Sequence, residues 1–202
     1  MSSDAVVHLI DDDAAVRQSL AFLLATAGHA VRVHESALAF LENLEGLQPG
    51  CIVSDVRMPG MDGLALQRRL RELGVKLPMI IMTGHADVAL AVEAMKAGAV
   101  DFIEKPFDDD LLLGAIAVAL ERRGDAAAQD SETARTRERL ERLTEREREV
   151  LEGLLAGRPN KTIAYDLGIS PRTVEIHRAN VMTKMGARNL ATLVRMTLAA
   201  RA

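Results

Sequence analysis

The sequence predicts an α/β fold, a doubly wound parallel five-stranded sheet, followed by a small all-α helix-turn-helix domain. Three observations carry this. Short apolar runs alternate with helical patterns five times between residues 6 and 122, the signature of parallel strands joined by helical crossovers. The charge reverses along the chain: residues 1–123 carry a net −7 and residues 158–202 a net +6. From Leu143 onward every segment is helical in pattern, with a tight glycine-containing turn at helix-turn-helix spacing.

The elements follow in order. Val6–Ile10 is an apolar run suited to a buried strand, and 14–27 has apolar residues at helical spacing, ended by Gly28. Residues 30–34 read as a second strand, and Ser36 opens a helix to Leu44. The third strand is 51–54, with Asp55 at its carboxyl end. A helix over 63–73 closes at Gly74. Pro78 precedes the strand 79–82, a helix over 87–97 closes at Gly98, and 100–103 and 108–122 are the fifth strand and helix. Residues 124–139 lack an apolar face and read as a linker that tolerates helix. Thr144 with Glu147 three positions later makes a capping box for a helix ending near Gly157. A short helix over 160–167 meets the turn Gly168-Ile169-Ser170. Ser170 then caps, and Pro171 starts, a helix to about Met185, and 189–199 is the last helix. The domains are therefore expected at 1–123 and 141–202, with 124–140 between them.

Composition narrows the function. Aromatic residues are 2% of the chain, which argues against a carbohydrate site or a base-stacking surface. The single cysteine, Cys51, allows no internal disulfide and no cysteine-rich zinc site, and points to a reducing compartment. No apolar run approaches the ~18 residues of a membrane span, and three aspartates stand where a leader would be apolar. A cytoplasmic protein without a membrane partner is expected.

Doubly wound sheets place function at the carboxyl ends of their strands. Asp11, Asp12, Asp55, Thr83 and Lys105 all fall there. Crowded carboxylates repel unless neutralised, and a hard divalent cation such as Mg2+, with oxygen ligands, resolves that. With a lysine and a hydroxyl alongside, the set describes a pocket for a phosphoryl group, in which one carboxylate attacks phosphorus. Any one of these aspartates is as readily a solvated loop residue or a helix cap, Asp12 or Asp13 in particular. The full set in strand order is what favours chemistry.

The motifs His8-Leu9-Ile10-Asp11-Asp12, Ser54-Asp55-Val56-Arg57-Met58-Pro59-Gly60-Met61-Asp62-Gly63, Met82-Thr83-Gly84 and Phe102-Ile103-Glu104-Lys105-Pro106-Phe107 resemble the receiver domain of two-component response regulators. The resemblance covers residues 4–123. It implies that Asp55 is phosphorylated by a sensor histidine kinase. It also implies that Mg2+ is held by Asp12, Asp55 and the main-chain carbonyl of Arg57 with Asp11 alongside, and that Thr83 and Lys105 bind phosphoryl oxygens. Lys105-Pro106 is expected to be cis. Phe102 stands at the family's rotating aromatic position, with an ordinary core phenylalanine as the alternative. Val92 and Lys96 fall on the helix of the family's usual dimer face, and Arg57 and His85 flank the pocket.

The basic half carries a second pattern. On the helix from Pro171, Val174, Val181 and Met185 suit a buried stripe, and the polar residues suit an exposed face that reads DNA. A solvated amphipathic helix is the bland alternative; the +6 charge and the turn spacing favour DNA. The runs Leu143–Leu151, Asn160–Ala164 and Ser170–His177 resemble the LuxR-type DNA-binding domain. By that resemblance Glu175 and Ile176 face base edges, and Asn160, Lys161, Arg172, Thr173, His177, Arg178 and Lys184 lie on or near the phosphates of double-stranded promoter DNA.

The combination is similar to a branch of these regulators that answers oxygen-sensing kinases and activates nitrogen-fixation genes, while near relatives answer other signals, including aromatic hydrocarbons. The implied protein is a transcription activator, not an enzyme. It dimerises when phosphorylated and engages RNA polymerase. An aspartate phosphohydrolase is disfavoured because Arg57 stands where such enzymes carry a second Asp. A phosphorylation-dependent docking adaptor is the remaining competitor.

Overall fold

The computed structural model describes residues 5–84, 88–121 and 126–201. The described residues fall into two compact units, one within 1–85 and 97–124, the other within 86–96 and 125–202.

In the first unit five parallel strands run in the order β2-β1-β3-β4-β5. They are β1 (Val6–Ile10), β2 (Ala30–His34), β3 (Gly50–Asp55), β4 (Met79–Thr83) and β5 (Asp101–Glu104). Every residue of β1, β3 and β4 is buried, as expected for parallel strands covered on both faces. One face carries Val7, Leu9, Cys51, Val53, Ile80, Met82 and Ile103. It packs under Leu20 and Leu24 of α1 (Ala14–Thr26) and Leu112 and Ile116 of α5 (Asp109–Glu121). Full burial of each such side chain contributes about 1.5–3 kcal/mol. Burial pushes the Cys51 thiol up to about 12, so this cysteine is a core residue and not a nucleophile. On the opposite face Phe40 of α2 (Ala37–Leu41) and Leu66 and Leu70 of α3 (Gly63–Glu72) are buried.

Two differences from the sequence expectation have local causes. Strand β3 begins at Gly50, one residue early, because β1 passes so close that a Cβ there would lie 1.8 Å from the Val6 carbonyl oxygen. Helix α2 stops at Leu41 instead of Leu44. The Asn43 amide donates to the Ala39 carbonyl at 2.7 Å, and a 3-10 turn over Leu44–Gly46 follows.

Beneath α2 two imidazoles meet. The His8 Nε2–H donates to the Gln48 carbonyl at 3.2 Å, which leaves Nδ1 to accept from His34 Nε2 at 3.4 Å. Phe40 stands edge-on to both rings. Burial, then repulsion from His8 and Arg32, lowers His34 to about 4, and His8 is lowered for the same first reason.

The second unit holds α4 (Val88–Lys96), α6 (Ala126–Glu141), α7 (Glu145–Leu155), α8 (Asn160–Leu167), α9 (Pro171–Met185) and α10 (Leu190–Arg201). The stretch expected as a linker is helix α6. Its Arg137 donates to the Ala200 carbonyl at 2.8 Å and Arg139 to the Met185 carbonyl at 2.9 Å, so guanidinium groups cap the carboxyl ends of α10 and α9. Helix α7 opens with the expected capping box. The Glu147 carboxylate accepts from the Thr144 N–H and also from Lys184 Nζ at 2.7 Å, tying α7 to α9. Burial alone would raise the Glu147 carboxyl; the Lys184 ammonium and the Thr144 donors outweigh it and hold it below its usual range.

Two consequences are measurable. Between about pH 6.5 and 4 the unfolded chain takes up protons that folded His34 refuses, so stability is lost as pH falls through that window. Urea unfolding at pH 7 and 4.5 is expected to show a fall larger in the natural protein than in His34→Phe by about 1–2 kcal/mol, allowing for the ring's partial exposure; equal falls remove the imidazole pair from the acid response. Lys184→Met leaves a buried carboxylate without its cation and is expected to lower unfolding stability by about 2–3 kcal/mol. Adding Glu147→Gln restores part of that loss, and additive losses in the double variant argue against the pair.

Candidate functional site

The strand order is 2-1-3-4-5, so the crossovers from β1 and β3 leave in opposite directions and open a crevice at their carboxyl ends. Asp11 follows β1, Asp55 ends β3, Thr83 ends β4, and Lys105 follows β5. The lysine joins two of them: Nζ lies 2.7 Å from Asp11 Oδ2 and 2.6 Å from Asp55 Oδ1. Burial alone would lower this ammonium; its bonds to both carboxylates outweigh that and raise it above its ordinary value. The Lys105 N–H donates to the Thr83 carbonyl at 2.7 Å, and Lys105-Pro106 is cis, as expected.

Each carboxylate is held on its other side too. Asp55 Oδ2 accepts the Arg57 N–H at 2.6 Å, and Asp11 Oδ1 accepts the Asp13 N–H at 2.9 Å. Asp55 keeps 11% of its side chain exposed against 2% for Asp11, so Asp55 is the carboxylate a reagent reaches. Its main chain is backed by α3. A Cβ at Gly63 would sit 2.4 Å from the Asp55 carbonyl oxygen, and Asp62 caps the helix through the Ala65 N–H.

The expected crowding of three carboxylates takes a different form. Among the described residues no three carboxylate, imidazole or thiolate side chains form a ready-made metal cage. Lys105 bridges Asp11 and Asp55 and offsets one of their two negative charges, Asp12 is exposed, and Asp13 turns out to be the cap of α1, accepting from Ala15 and Val16. This set still fits Mg2+, which uses one or two carboxylates and keeps waters or phosphate oxygens for the rest. The donors expected for it from the sequence are Asp12, Asp55 and the Arg57 carbonyl, with Asp11 alongside.

Other expected residues divide. Thr83 is fully buried and Phe102 is 7% exposed, a core position in this arrangement. Lys96 is exposed, but Val92 is buried, because α4 packs against α10 and α7 of its own unit; an open dimer face through Val92 is not what this structure presents. His85 lies outside the described residues. Sequence reading has no place for Arg17, whose guanidinium reaches back from α1 to the Asp11 and Asp12 carbonyls. Its position four residues beyond the Asp13 cap was the only available signal.

In the second unit, Gly168 takes the left-handed conformation at φ 65° that ends α8 and lets the chain turn into α9. The Ser170 hydroxyl accepts the Thr173 N–H at 3.1 Å, and Pro171 is the first helical residue. Val174, Val181 and Met185 are buried, as the pattern requires. Arg172, Glu175 and Ile176 are exposed, His177 and Arg178 half-buried, Asn160 half-buried and Lys161 exposed. Ile176 keeps 51% of its surface open. Arg172 pairs with Glu175 at 3.0 Å, and an exposed pair of this kind opens at little cost. Two of the expected contact residues already have partners within this unit. The Lys184 ammonium is engaged by Glu147, and Thr173 takes part in the Ser170 cap, so both hold the helix in place in this structure.

Among the described residues no helix is long and apolar enough to cross a membrane. The family "Response regulator receiver domain" matches residues 7–117, and "Bacterial regulatory proteins, luxR family" matches 141–197. Transcriptional regulatory protein FixJ of Azorhizobium caulinodans is 56% identical over 200 residues, covering 99% of this chain and 95% of the relative. Response regulator protein TodT of Pseudomonas putida strain F1 is 42% identical over 193 residues, covering 96% and 85%. The crystal structure of full-length FixJ from B. japonicum superposes with a TM-score of 0.58 at 52% identity, covering 98% of this chain and 97% of that one. The two family matches fall one on each of the sites described above, the relatives span both, and the chain accordingly belongs to the LuxR-family response regulators, as a FixJ-like transcription regulator activated by phosphorylation and not an enzyme.

Proposed function

We propose that Asp55 is the phosphoacceptor, and that its phosphorylation controls DNA reading by α9. The observation that carries this is the single ammonium of Lys105 bridging Asp11 and Asp55 at the mouth of the sheet crevice. A carboxylate oxygen of Asp55 attacks the phosphorus of a phosphohistidine, a P–O bond forms, the P–N bond breaks, and the kinase imidazole leaves with the bonding pair. Lys105 is placed to follow the new charge, exchanging a carboxylate for a phosphoryl oxygen, and the Thr83 hydroxyl is a second donor. Asp12, Asp55 and the Arg57 carbonyl would hold a Mg2+ ion, which when bound would supply positive charge for the same oxygens.

Phosphorylation adds charge and three acceptor oxygens and shifts a two-state equilibrium toward a dimerising form. Phe102 and the face bearing Val92 and Lys96 are the proposed switch and dimer elements; for Val92 this requires exposure on activation. In the dimer Glu175 and Ile176 read base edges. Arg172, His177, Arg178, Asn160 and Lys161 hold phosphates, and Thr173 and Lys184 support from behind.

The 56% identity to FixJ favours a FixL-like oxygen-sensing kinase as the partner, nitrogen-fixation promoters as targets and RNA polymerase as the downstream contact, in the cytoplasm. The 42% identity to TodT supports the alternative that another stimulus, such as aromatic hydrocarbons, acts through the same machinery.

Asp55→Asn is expected to abolish phosphate incorporation from acetyl phosphate with Mg2+, and label at natural levels in that variant would sink the assignment. Treated protein incubated with fragmented genomic DNA is expected to retain specific promoters, and Asp55→Asn to retain far fewer; no retention by either form favours a docking adaptor. Glu175→Ala is expected to change the preferred base at one position of each half-site, by about 1–3 kcal/mol of discrimination. A preferred site that stays the same while binding weakens makes Glu175 a supporting residue.

A further inference from the structure

Arg17 sits in the first turn of α1, four residues after the Asp13 cap, and its side chain runs back toward the crevice. One nitrogen, Nη1, donates to the main-chain carbonyls of Asp11 at 2.7 Å and Asp12 at 3.0 Å. These are the two peptide groups on either side of the Asp12 Cα. Both Asp11 carboxylate oxygens are engaged, by the Asp13 N–H and by Lys105. The Asp12 carboxylate is different: it is exposed and has no hydrogen-bond partner among the described residues. Where it points is therefore set by its backbone, and Arg17 is the side chain that fixes that backbone.

We infer that Arg17 is a positioning residue for divalent-cation binding, orienting Asp12 by clamping the Asp11 and Asp12 carbonyls; the inference rests on the reading of this crevice as the Mg2+ and phosphoacceptor site. Two effects of the guanidinium oppose each other. Its charge repels a cation, so electrostatics alone predicts tighter Mg2+ binding when it is removed. Its hydrogen bonds hold a ligand in place in advance, so loss of the clamp predicts weaker binding. The geometry favours the second, because the arginine's donors point at carbonyls and the Arg17 main chain is itself tied in, its N–H donating to the Asp13 carbonyl at 2.9 Å. Carbonyl partners also draw the positive charge toward protein oxygen and away from the cation.

The test is calorimetric titration of the full chain with Mg2+ alone, in the absence of any phosphodonor. The natural protein, Arg17→Met, Arg17→Lys, Asp12→Ala and the double variant Asp12→Ala with Arg17→Met are compared, with thermal unfolding of each recorded without the metal. Arg17→Met is expected to bind Mg2+ about 3- to 10-fold more weakly, below the ~10- to 100-fold typical of groups that hold a ligand side chain directly. Arg17→Lys recovers part of the affinity, and in the Asp12→Ala background the Arg17 substitution changes Mg2+ affinity by less than about 2-fold. Unchanged or tighter binding by Arg17→Met overturns the inference and leaves only charge repulsion. A loss that persists undiminished without the Asp12 carboxylate also overturns it, since the arginine would then act on another part of the site. Should Arg17→Met fail to fold, Arg17→Lys carries the same comparison in both backgrounds. If the natural protein itself does not bind Mg2+, the site reading fails, and this inference with it.

Discussion

One ammonium holds the end of the sheet together. Asp11 and Asp55 leave adjacent parallel strands at the same height, and two carboxylates placed so would repel. Lys105, arriving from the far edge strand, lies within 2.7 Å of both and makes the pair tolerable in a mostly buried setting. The surrounding architecture serves that placement. The bond from the Lys105 N–H to the Thr83 carbonyl fixes its backbone, and Gly63 lets α3 press against the Asp55 main chain. An internal counter-ion also suits a site that gains and loses charge, since a cation already stands within reach of an anion that enters the crevice.

The helical half depends on a different economy, that of helix ends. Its helices are short, so a large share of their peptide groups lie in terminal turns without intrahelical partners. Thr144 and Glu147 satisfy the start of α7, Ser170 that of α9, and Arg137 and Arg139 the carboxyl ends of α10 and α9. Glu147 does two of these tasks at once, because the carboxylate that completes the capping box also receives Lys184 from α9. The tilt of α9 is in this way referred to the start of α7. A directional, charge-assisted bond to a buried carboxylate sets that tilt more narrowly than apolar contact alone.

Most of this was legible because parallel sheets and capped helices leave marks in sequence. The strands are short apolar runs, and Asp11, Asp55, Thr83 and Lys105 each stand at the end of one, so the site could be drawn before any coordinates. Thr144, Glu147, Ser170 and Pro171 announced their caps in the same manner. What stayed hidden was pairing across distance. Periodicity says that Lys184 is polar and outward; it does not say that an acidic group from another helix waits there. The same blindness hid Arg17, whose partners are main-chain carbonyls with no sequence signature, and the burial of Val92 on a helix that α10 covers. The stretch before Glu141 looked like a tether because it lacks an apolar face, yet its hold on the neighbouring helices is made by arginines.

That last point bears on how such proteins are recombined. Regulators of this kind invite domain exchange, in which one sensory half is grafted onto another output half, and the natural place to cut is where sequence similarity to the output family begins, at residue 141. A cut there would strip Arg137 and Arg139 from the piece they serve and expose the carboxyl-terminal carbonyls of α9 and α10. The interchangeable part begins earlier than the recognisable one, ahead of the buried Thr136. Chimaeras joined at the family border would carry an output half with two helix ends undone, and a faulty graft of that origin would be easily mistaken for incompatible signalling.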